Sequence, residues 1–364
     1  MNKIKVHFEK SSSSSYEIHI GYQIMDRMAL ILSNQGWARR YFLLTDSRVS
    51  SLHGERVLAI LRGMGLTVEE IVFPGGEEQK SISTCTELAE RMMERGADRT
   101  SALIALGGGV VGDLTAFLAS IYMRGIPHIQ VPTTILAQVD SSIGGKTAVD
   151  LPSAKNLLGT FTQPKAVFID LAFLETLSPR EFTSGLAEIV KYGIIEDPEI
   201  LEELKIGAEA LRQRDPAFLA GIIGKSCRIK KAIVESDETD KGLRRILNFG
   251  HTVGHAIEAE SGFTVSHGEA VAMGMCAAAL LSERRQYLSA EDRERIFAVI
   301  GRVGLPVCIP SSLDPEGILR GLKKDKKKEG DQIRFILLKK PGLPFVNGGI
   351  PLSLVRETIE ELRA

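Results

Sequence analysis

The stretch SALIALGGGVVGD (residues 101–113) joins an apolar run to a glycine-rich turn and decides the fold class of the first half of the chain. The apolar run predicts a buried strand, and Gly107, Gly109 and Gly112 follow it at GxGxxG spacing where a helix begins. Glycine allows a tight turn and lets backbone N–H groups approach a phosphate, which a helix N-terminus also attracts. The stretch therefore predicts a strand–turn–helix unit whose turn is either a plain tight connection or a variant dinucleotide site.

The same alternation of apolar runs and helical patterns surrounds this unit. Strands are predicted at residues 41–46, 67–73, 101–106, 128–132 and 166–170, with a helix-length segment at 81–95. This rhythm predicts a Rossmann-like parallel sheet with helices on its faces.

The character of the chain changes after Ser178, where Ser178 and Pro179 form a helix-start pattern. Helical periodicity follows at residues 181–195, 217–236, 245–261 and 267–286. The sequence therefore predicts an α/β domain at residues 1–178 and a mainly α-helical domain at 179–364, with the active site between them. An apolar run at 333–338 predicts a late strand, whose partner the sequence leaves open.

Composition limits the classes of protein to consider. The chain has 364 residues, 44% of them hydrophobic, and a formal net charge of −1, so we expect neither a nucleic-acid nor a membrane partner. Its four cysteines form no CxxC pair, which indicates a reducing compartment and argues against a disulfide framework. The N-terminus lacks the apolar region of a signal peptide, and the longest apolar run, residues 270–281, is too short to span a bilayer. These features predict a cytoplasmic protein.

Two further loops join the glycine turn at the ends of predicted strands. Asp46 closes one strand, and PGGEEQKS (residues 74–81) ends another, with glycines, an acid and Lys80. Loops at the carboxyl ends of neighbouring parallel strands form the usual ligand crevice of an open α/β sheet. However, Gln130 stands near the place where an ordinary dinucleotide fingerprint has an acidic residue.

The segment SSIGGKTAV (residues 141–149) imitates the end of a P-loop. Asp140 stands where the P-loop requires its first glycine, so the sequence argues against ATP hydrolysis. Lys146 is better interpreted as a cation among glycines.

Three histidines lie close together in the second half: His251, His255 and His267. The first two have the spacing of a zinc-binding helix but lack the glutamate of HExxH, which argues against a metalloprotease. With a nearby carboxylate, the histidines could hold a metal that keeps open coordination positions. The candidate carboxylates are Glu188, Glu258 and Glu269. The alternative is a set of histidines satisfied by hydrogen bonds in the core.

Cations recur beside glycines and asparagines. They include Lys146, Lys155, Lys191, Lys231, Arg244 and the basic run at residues 321–328. Each could be a solvated surface charge, but together in a cleft they would suit a small, multiply anionic substrate. The residues alone thus indicate an enzyme with a dinucleotide, a divalent metal and an anionic substrate.

Several long motifs carry a resemblance to a known family: PGGEEQKS, GGGVVGD, YMRG, VPTTILAQVDSSIGGKTAVD, KNLLGTF, SGLAEIVKYG, DETDKGLRRILNFGHTVGHA and SHGEAVA. The chain resembles the 3-dehydroquinate synthases of the sugar-phosphate cyclase group. The resemblance implies bound NAD and Zn²⁺ (or Co²⁺), and a homodimer. It also implies a carbon–oxygen lyase of the shikimate pathway of aromatic amino-acid biosynthesis. That enzyme converts 3-deoxy-D-arabino-heptulosonate 7-phosphate to 3-dehydroquinate and phosphate by transient oxidation at C5, phosphate elimination, re-reduction and intramolecular aldol closure.

The resemblance also implies roles for individual residues. The metal ligands would be Glu188, His251 and His267. The catalytic residues would be Asp140, Lys146, Lys191, Asn248 and His255. The substrate would contact Lys155, Asn156, Lys231, Arg244, Lys326 and, from a neighbouring subunit, Arg124. NAD would contact Asp46, Glu77, Lys80, Gly108, Gly109, Val110, Asp113, Thr133, Thr134, Asp140, Lys146, Lys155 and Thr176.

Two other activities remain open on the sequence. Another sugar-phosphate cyclase would lack a substrate carboxylate for Lys231 and Arg244 to bind. A metal- and NAD-dependent polyol dehydrogenase would need no lysine-rich phosphate site.

Overall fold

The computed structural model describes residues 15–151, 154–240, 242–329 and 333–364, without the side chains of residues 154 and 324–329. Its strands are β1 (Glu17–Gly21), β2 (Arg40–Asp46), β3 (Val68–Phe73), β4 (Ser101–Gly107), β5 (His128–Pro132), β6 (Lys146–Leu151), β7 (Ala154–Phe161), β8 (Ala166–Asp170), β9 (Arg334–Lys340) and β10 (Leu343–Gly348). Its α-helices are α1 (Met25–Gln35), α2 (Ser47–Val49), α3 (Glu55–Gly63), α4 (Ile82–Glu94), α5 (Gly109–Ile121), α6 (Pro179–Ile195), α7 (Glu199–Ile206), α8 (Ala208–Arg212), α9 (Pro216–Ser236), α10 (His251–Glu260), α11 (His267–Arg284), α12 (Ala290–Arg302), α13 (Pro315–Glu329) and α14 (Leu352–Glu361). None of the helices within these ranges is long and apolar enough to cross a membrane.

Six strands form one parallel sheet in the order β1-β8-β5-β4-β2-β3. This confirms the predicted parallel sheet and all five predicted strands, within one residue at their ends. Every residue of β4 is buried because helices cover both faces of the sheet there. The edge strand β1 is an addition that the sequence analysis had not identified.

An antiparallel hairpin, β6–β7, is inserted between β5 and β8 and forms a separate two-stranded sheet. Its strands pair from Lys146 opposite Phe161 to Leu151 opposite Ala154. The hairpin therefore carries Lys146, Lys155 and Asn156 on an arm outside the main sheet.

The second half is mainly helical, as predicted, and the helix start predicted at Ser178 and Pro179 is confirmed. The Ser178 hydroxyl accepts from the backbone N–H of Glu181 and caps α6, which starts at Pro179. The predicted late strand is confirmed as β9, and its partner is β10, in an antiparallel pair. Helix α11 is buried along nearly its whole length, so the apolar run at 270–281 forms the centre of this half.

The prediction of one helix at residues 245–261 was wrong in its first part. Residues Leu243–Asn248 form a 3₁₀ helix, and α10 begins only at His251, after Gly250 with φ 81°. A side chain on Gly250 would lie 2.6 Å from Cγ of Met275 and 2.8 Å from the carbonyl oxygen of Val271. The break therefore lets α10 approach the backbone of α11 closely, which sets His251 and His267 side by side.

Candidate active site

The carboxyl ends of the parallel strands all lie at one edge of the main sheet, and the loops that follow them carry the residues predicted to bind NAD. Asp46 ends β2, and its Oδ1 accepts from the backbone N–H groups of Arg48 and Val49, both at 2.9 Å. The loop after β3 approaches it, because a side chain on Gly75 would lie 3.7 Å from the same oxygen. At the far end of β8, Thr176 lies 2.8 Å from Nε2 of His53.

Lys80 is the buried centre of this crevice. Its ammonium donates to Oδ2 of Asp113 and to Oδ1 of Asn156, both at 2.6 Å, and so links the loop after β3 to α5 and the β6–β7 hairpin. Burial opposes the charge on both partners and raises the pKa of Asp113, whereas Asp113 outweighs burial and raises the pKa of Lys80. The distance of 2.6 Å between Nζ of Lys80 and Oδ2 of Asp113 indicates that both side chains are charged and form an ion pair.

The glycine turn is crowded. Gly108 caps α5 in an extended conformation, and a side chain there would lie 3.2 Å from Cγ2 of Thr134. Gln130 donates to the carbonyl oxygen of Gly112 at 3.1 Å, and a side chain on Gly112 would lie 2.9 Å from Oε1 of Gln130. Gln130 stands where an ordinary dinucleotide fingerprint has an acidic residue, and here it stabilises the glycine turn through this hydrogen bond. Val110 lies in the first turn of α5, and Thr133 directly follows β5.

Three helices bring a carboxylate and two imidazoles together in the second half. Glu188 comes from the middle of α6, His251 from the start of α10 and His267 from the start of α11. Nε2 of His251 lies 3.6 Å and Nε2 of His267 lies 3.8 Å from Oε1 of Glu188. Single ligand atoms from these three residues all lie within 4.8 Å of one another, as a metal site requires.

Glu188 is fully buried: the Lys191 ammonium contacts its Oε2, whereas its Oε1 has no hydrogen-bond partner among the described residues. Burial would raise the pKa of Glu188, but Lys191 outweighs it and lowers the pKa to about 2. The carboxylate therefore stays ionised beside two imidazoles. Because buried oxygens without hydrogen bonds are costly, this arrangement fits a bound cation.

The two imidazoles differ in protonation. Burial and the neighbouring Lys191 lower the pKa of His251 to about 3, so that ring is neutral. Its Nδ1 donates to the carbonyl oxygen of Phe249 at 3.2 Å, which leaves the lone pair of Nε2 directed towards Glu188. Burial opposes a charge on His267, but the neighbouring carboxylates of Glu188 and Glu258 raise its pKa to about 9. A neutral imidazole, a second imidazole and a carboxylate are the donor set of a catalytic zinc site.

Asp140 joins this pocket to the first half of the molecule. It lies in the π-helical segment Ala137–Ser141, and its Oδ1 accepts from Tyr192 at 2.9 Å and from Lys230 at 2.7 Å. Burial opposes its ionisation, but Lys230 and Lys191 outweigh burial and hold the pKa of Asp140 well below its usual range. The pocket therefore contains two anionic side chains and two buried lysines.

Lys230 contacts Asp140, whereas its neighbour Lys231, which was predicted to bind substrate, does not point to this pocket. Lys230 is 4% exposed, whereas the side chain of Lys231 is 59% exposed and pairs with Glu235 at 2.9 Å. Lys231 lines a cavity of about 620 Å³ on a different face of α9. Successive helical residues point about 100° apart, so helical periodicity combined with the position of Asp140 could have separated the two.

The other predicted substrate residues occupy three places. Arg244 is buried and donates to the carbonyl oxygens of Gly144, at 3.2 Å, and Glu238, at 2.8 Å. The Lys146 ammonium contacts Asp240, and Asn248 is exposed on the 3₁₀ helix before α10.

The remaining predicted residues lie further out or outside the described part. Lys155 lies 3.1 Å from Glu77 and 4.5 Å from the centre of the Phe263 ring, so it spans the two halves of the chain. Arg124 lies on the 3₁₀ turn after α5, beyond the hairpin. Lys326 belongs to the residues whose side chains are not described.

A parallel sheet followed by a mainly helical half is also the fold of solved sugar-phosphate cyclases. The chain is similar to ValA, the 2-epi-5-epi-valiolone synthase of Streptomyces hygroscopicus solved with NAD⁺ and Zn²⁺ (TM-score 0.90, 27% identity, 99% of each chain). It is also similar to a 2-deoxy-scyllo-inosose synthase solved with carbaglucose-6-phosphate, NAD⁺ and Co²⁺ (TM-score 0.85, 30% identity, 94% of this chain and 96% of the other).

Sequence comparison defines the family. Residues 70–184 match the model of the 3-dehydroquinate synthase N-terminal region, and residues 185–328 match that of its C-terminal region. The 3-dehydroquinate synthase of Symbiobacterium thermophilum is 44% identical over 96% of this chain and 98% of its own length. The chain belongs to the 3-dehydroquinate synthase family and is therefore an enzyme, which confirms the resemblance carried by the motifs.

Proposed function

We propose that the protein converts 3-deoxy-D-arabino-heptulosonate 7-phosphate to 3-dehydroquinate and phosphate, with NAD and a divalent metal, Zn²⁺ or Co²⁺, as cofactors. The observation that carries this proposal is the convergence of Glu188, His251 and His267 on one potential metal site in a chain of this family. NAD would accept and return a hydride, and the metal would act as a Lewis acid on the oxygen that is oxidised.

The crevice residues would hold NAD. The Lys80–Asp113 pair fixes the loop after β3 against α5. Because Gly108 has no side chain in the narrow space beside Thr134, a phosphate could approach the N-terminus of α5. Glu77, Gly109 and Thr134 lie in the loops around this point. Their common position at the carboxyl edge of the sheet supports this assignment.

Lys230 and Arg244 are our choice for the substrate carboxylate. Both are buried, and both approach the loop between Asp140 and Gly144. Lys230 replaces Lys231 in this role because the exposed Lys231 is paired with Glu235 on another face of α9. A buried cation binds a carboxylate more strongly than an exposed one, since water screens it less.

The phosphate would be bound near the hairpin and the start of α10, where Lys146, Lys155, Asn156 and Asn248 lie. His255 is one turn along α10 from His251, and the two ring centres lie 5.3 Å apart, so His255 can relay a proton beside the metal site. Lys191 keeps Glu188 ionised through direct contact. Because none of these residues is assigned as the base for the elimination, the substrate phosphate would serve as its own base.

An exposed apolar patch supports the homodimer. It comprises Ile121, Met123, Leu157, Leu158 and Phe161, each between 40% and 57% exposed. The hydroxyl of Thr160 donates to that of Ser120 at 2.8 Å, which joins the hairpin to the end of α5. Patches of this kind mark protein–protein contacts. Arg124, with φ 73°, projects from the same place and would reach a neighbouring subunit's phosphate.

The remaining features of the proposal concern location, partners and domains. The four cysteines, Cys85, Cys227, Cys276 and Cys308, are free, which supports a reducing, cytoplasmic location. A net charge of −1 offers no general attraction for nucleic acid or anionic membrane. The Ser178 cap of α6 supports a domain boundary at residues 178 and 179.

The test is phosphate release from the heptulosonate phosphate, with Zn²⁺ restored and NAD kept far below the substrate concentration. Absorbance of NADH is followed in the same cuvette, and a chelated sample is the control. We expect many phosphates per NAD, no standing NADH and no turnover in the chelated sample. Formation of NADH from a polyol without phosphate release would assign the protein to the dehydrogenase alternative.

A further inference from the structure

We propose that Glu258 is a positioning residue that orients the His267 ring and fixes which of its nitrogens faces the metal. The inference rests on the proposed metal site and adds a residue that makes no contact with the metal itself. Oε2 of Glu258 lies 3.3 Å from Nδ1 of His267, on the opposite side of the ring from Glu188.

The chemistry of a neutral imidazole explains why this contact matters. When a bound metal displaces one proton from His267, one ring nitrogen keeps its proton and donates, while the other offers a lone pair. A carboxylate on Nδ1 holds the proton there and leaves the Nε2 lone pair directed towards Glu188, 3.8 Å away. Carboxylate partners of this kind also make a ligating histidine more basic.

The Nδ1 atoms of the two histidines have different hydrogen-bond partners. His251 donates its Nδ1 proton to the backbone carbonyl of Phe249, so the chain itself fixes that ring. His267 lies at the first position of α11, and its Nδ1 contacts the Glu258 side chain instead. The orientation of His267 thus depends on a residue that a single substitution can remove.

A purely structural role explains Glu258 poorly. Its side chain is only 11% exposed, and burying a carboxylate costs free energy that an apolar residue would not require. The close crossing of α10 and α11 is set by Gly250, Gly254 and Gly274, where a side chain would collide with the facing helix. Helix contact therefore does not depend on the Glu258 carboxylate.

Glu258, His255 and His267 also lie close enough to be ligands of a second ion. The geometry favours the positioning role, because Nδ1 of His267 cannot donate to Glu258 and ligate a metal at the same time. The positioning role predicts one metal ion per chain, whereas a second ligand site predicts two.

The experiment compares Glu258→Ala and Glu258→Gln with the full-length parent and with a matched control, Glu260→Gln, on the same helix. Zn²⁺ affinity is measured by competition with a chelator, and the visible spectrum of the Co²⁺-loaded protein reports ligand geometry. For Glu258→Ala we expect about 10- to 100-fold weaker metal binding and an altered Co²⁺ spectrum. Glu258→Gln should lose less, since its amide oxygen still accepts from Nδ1 but carries no charge. The control should match the parent.

Thermal melting of the metal-free proteins separates this effect from a loss of folding, and Glu258→Gln, which keeps the side-chain volume, carries the test if the alanine variant does not fold. Parent affinity and an unchanged Co²⁺ spectrum in both Glu258 variants would overturn the inference. Two metals per parent chain, with one lost in the variants, would also overturn it in favour of a second ligand site. A parent that binds no metal would overturn the metal site and this inference together, whereas failure of phosphate release with metal bound would concern only the proposed reaction.

Discussion

Buried charges have different partners in the sheet crevice around Lys80 and in the helical pocket around Glu188. In the crevice, the ammonium of Lys80 is matched by Asp113 and Asn156, each at 2.6 Å. In the pocket, Oε1 of Glu188 is buried without a hydrogen-bond partner in the described part of the chain, while Lys191 contacts Oε2 and keeps the group ionised. Leaving a buried polar atom unsatisfied costs about 1–3 kcal/mol, so the pocket retains an instability that a ligand can relieve.

The difference teaches how to recognise the two kinds of site. The crevice is complete as a scaffold and would bind a large cofactor through loop shape and backbone groups. The pocket offers a site for a cation, because one ligand atom from each of Glu188, His251 and His267 lies within 4.8 Å of the other two. Substitutions should therefore separate NAD affinity from metal affinity.

The largest effect is expected for Glu188→Gln. Loss of the anionic ligand should weaken metal binding by at least about 100-fold, since ligand loss exceeds the 10- to 100-fold typical of outer-shell changes. Activity should fall with it, whereas NAD affinity should stay at the parent value. Metal content and calorimetric titration with NAD measure the two quantities. Full metal occupancy in the variant would refute the ligand assignment.

Lys230→Met should lower kcat/KM by about 100-fold, because a buried charge pair with the substrate would be lost. It should also lower the melting temperature, since Asp140 would lose its nearest cation. The matched control is Lys231→Met, next along α9 and exposed, which should remain within about twofold of the parent because exposed ion pairs contribute little. Equal losses in both variants would break the distinction between the two lysines.

Lys80→Met should weaken NAD binding by about 10-fold, because the loop after β3 would lose its link to α5 and the hairpin. Metal affinity should not change, since Lys80 belongs to the crevice alone. Paired titrations with NAD and Zn²⁺ test this. A parallel loss of metal would mean that the two regions are coupled through the structure.

The smallest effect is expected where the two regions touch. Phe263→Leu removes the ring that Lys155 approaches at 4.5 Å, and an exposed cation–π contact contributes about 0.5–1 kcal/mol, or about two- to fivefold in KM. Because Phe263 is 58% exposed, stability should hardly change. Phe263→Tyr should restore the parent KM. A leucine variant with parent KM would show that Lys155 needs no aromatic partner.

Much of the architecture was predictable because it depends on local periodicity. Strands β2 to β5 and β8 followed from apolar runs, and the start of α6 followed from the Ser178 and Pro179 pattern. The helix break at Gly250 was missed because its cause lies in Met275 and Val271 on another helix. Strand β1 was missed because it is a short edge strand whose partner, β8, lies far along the chain.

The candidate site divides in the same way. The motifs identified Glu188, His251 and His267, and the structure brings these three together. They did not separate Lys230 from Lys231, because adjacent positions with the same side chain differ only in direction from the helix axis. They also did not assign a role to Glu258, whose contact with His267 depends on how α10 crosses α11.

The sequence by itself determined the family, the parallel sheet, the helical second half and the types of ligand atom available, since these follow from composition, spacing and motif. Only the tertiary structure decided which lysine meets Asp140, which nitrogen of each histidine faces Glu188 and which carboxylate stays without a hydrogen bond. The physical reason is the separation along the chain over which each effect acts. Periodicity acts between neighbours in the chain, whereas burial, ionisation and ligand geometry arise between side chains that folding brings together from separate helices.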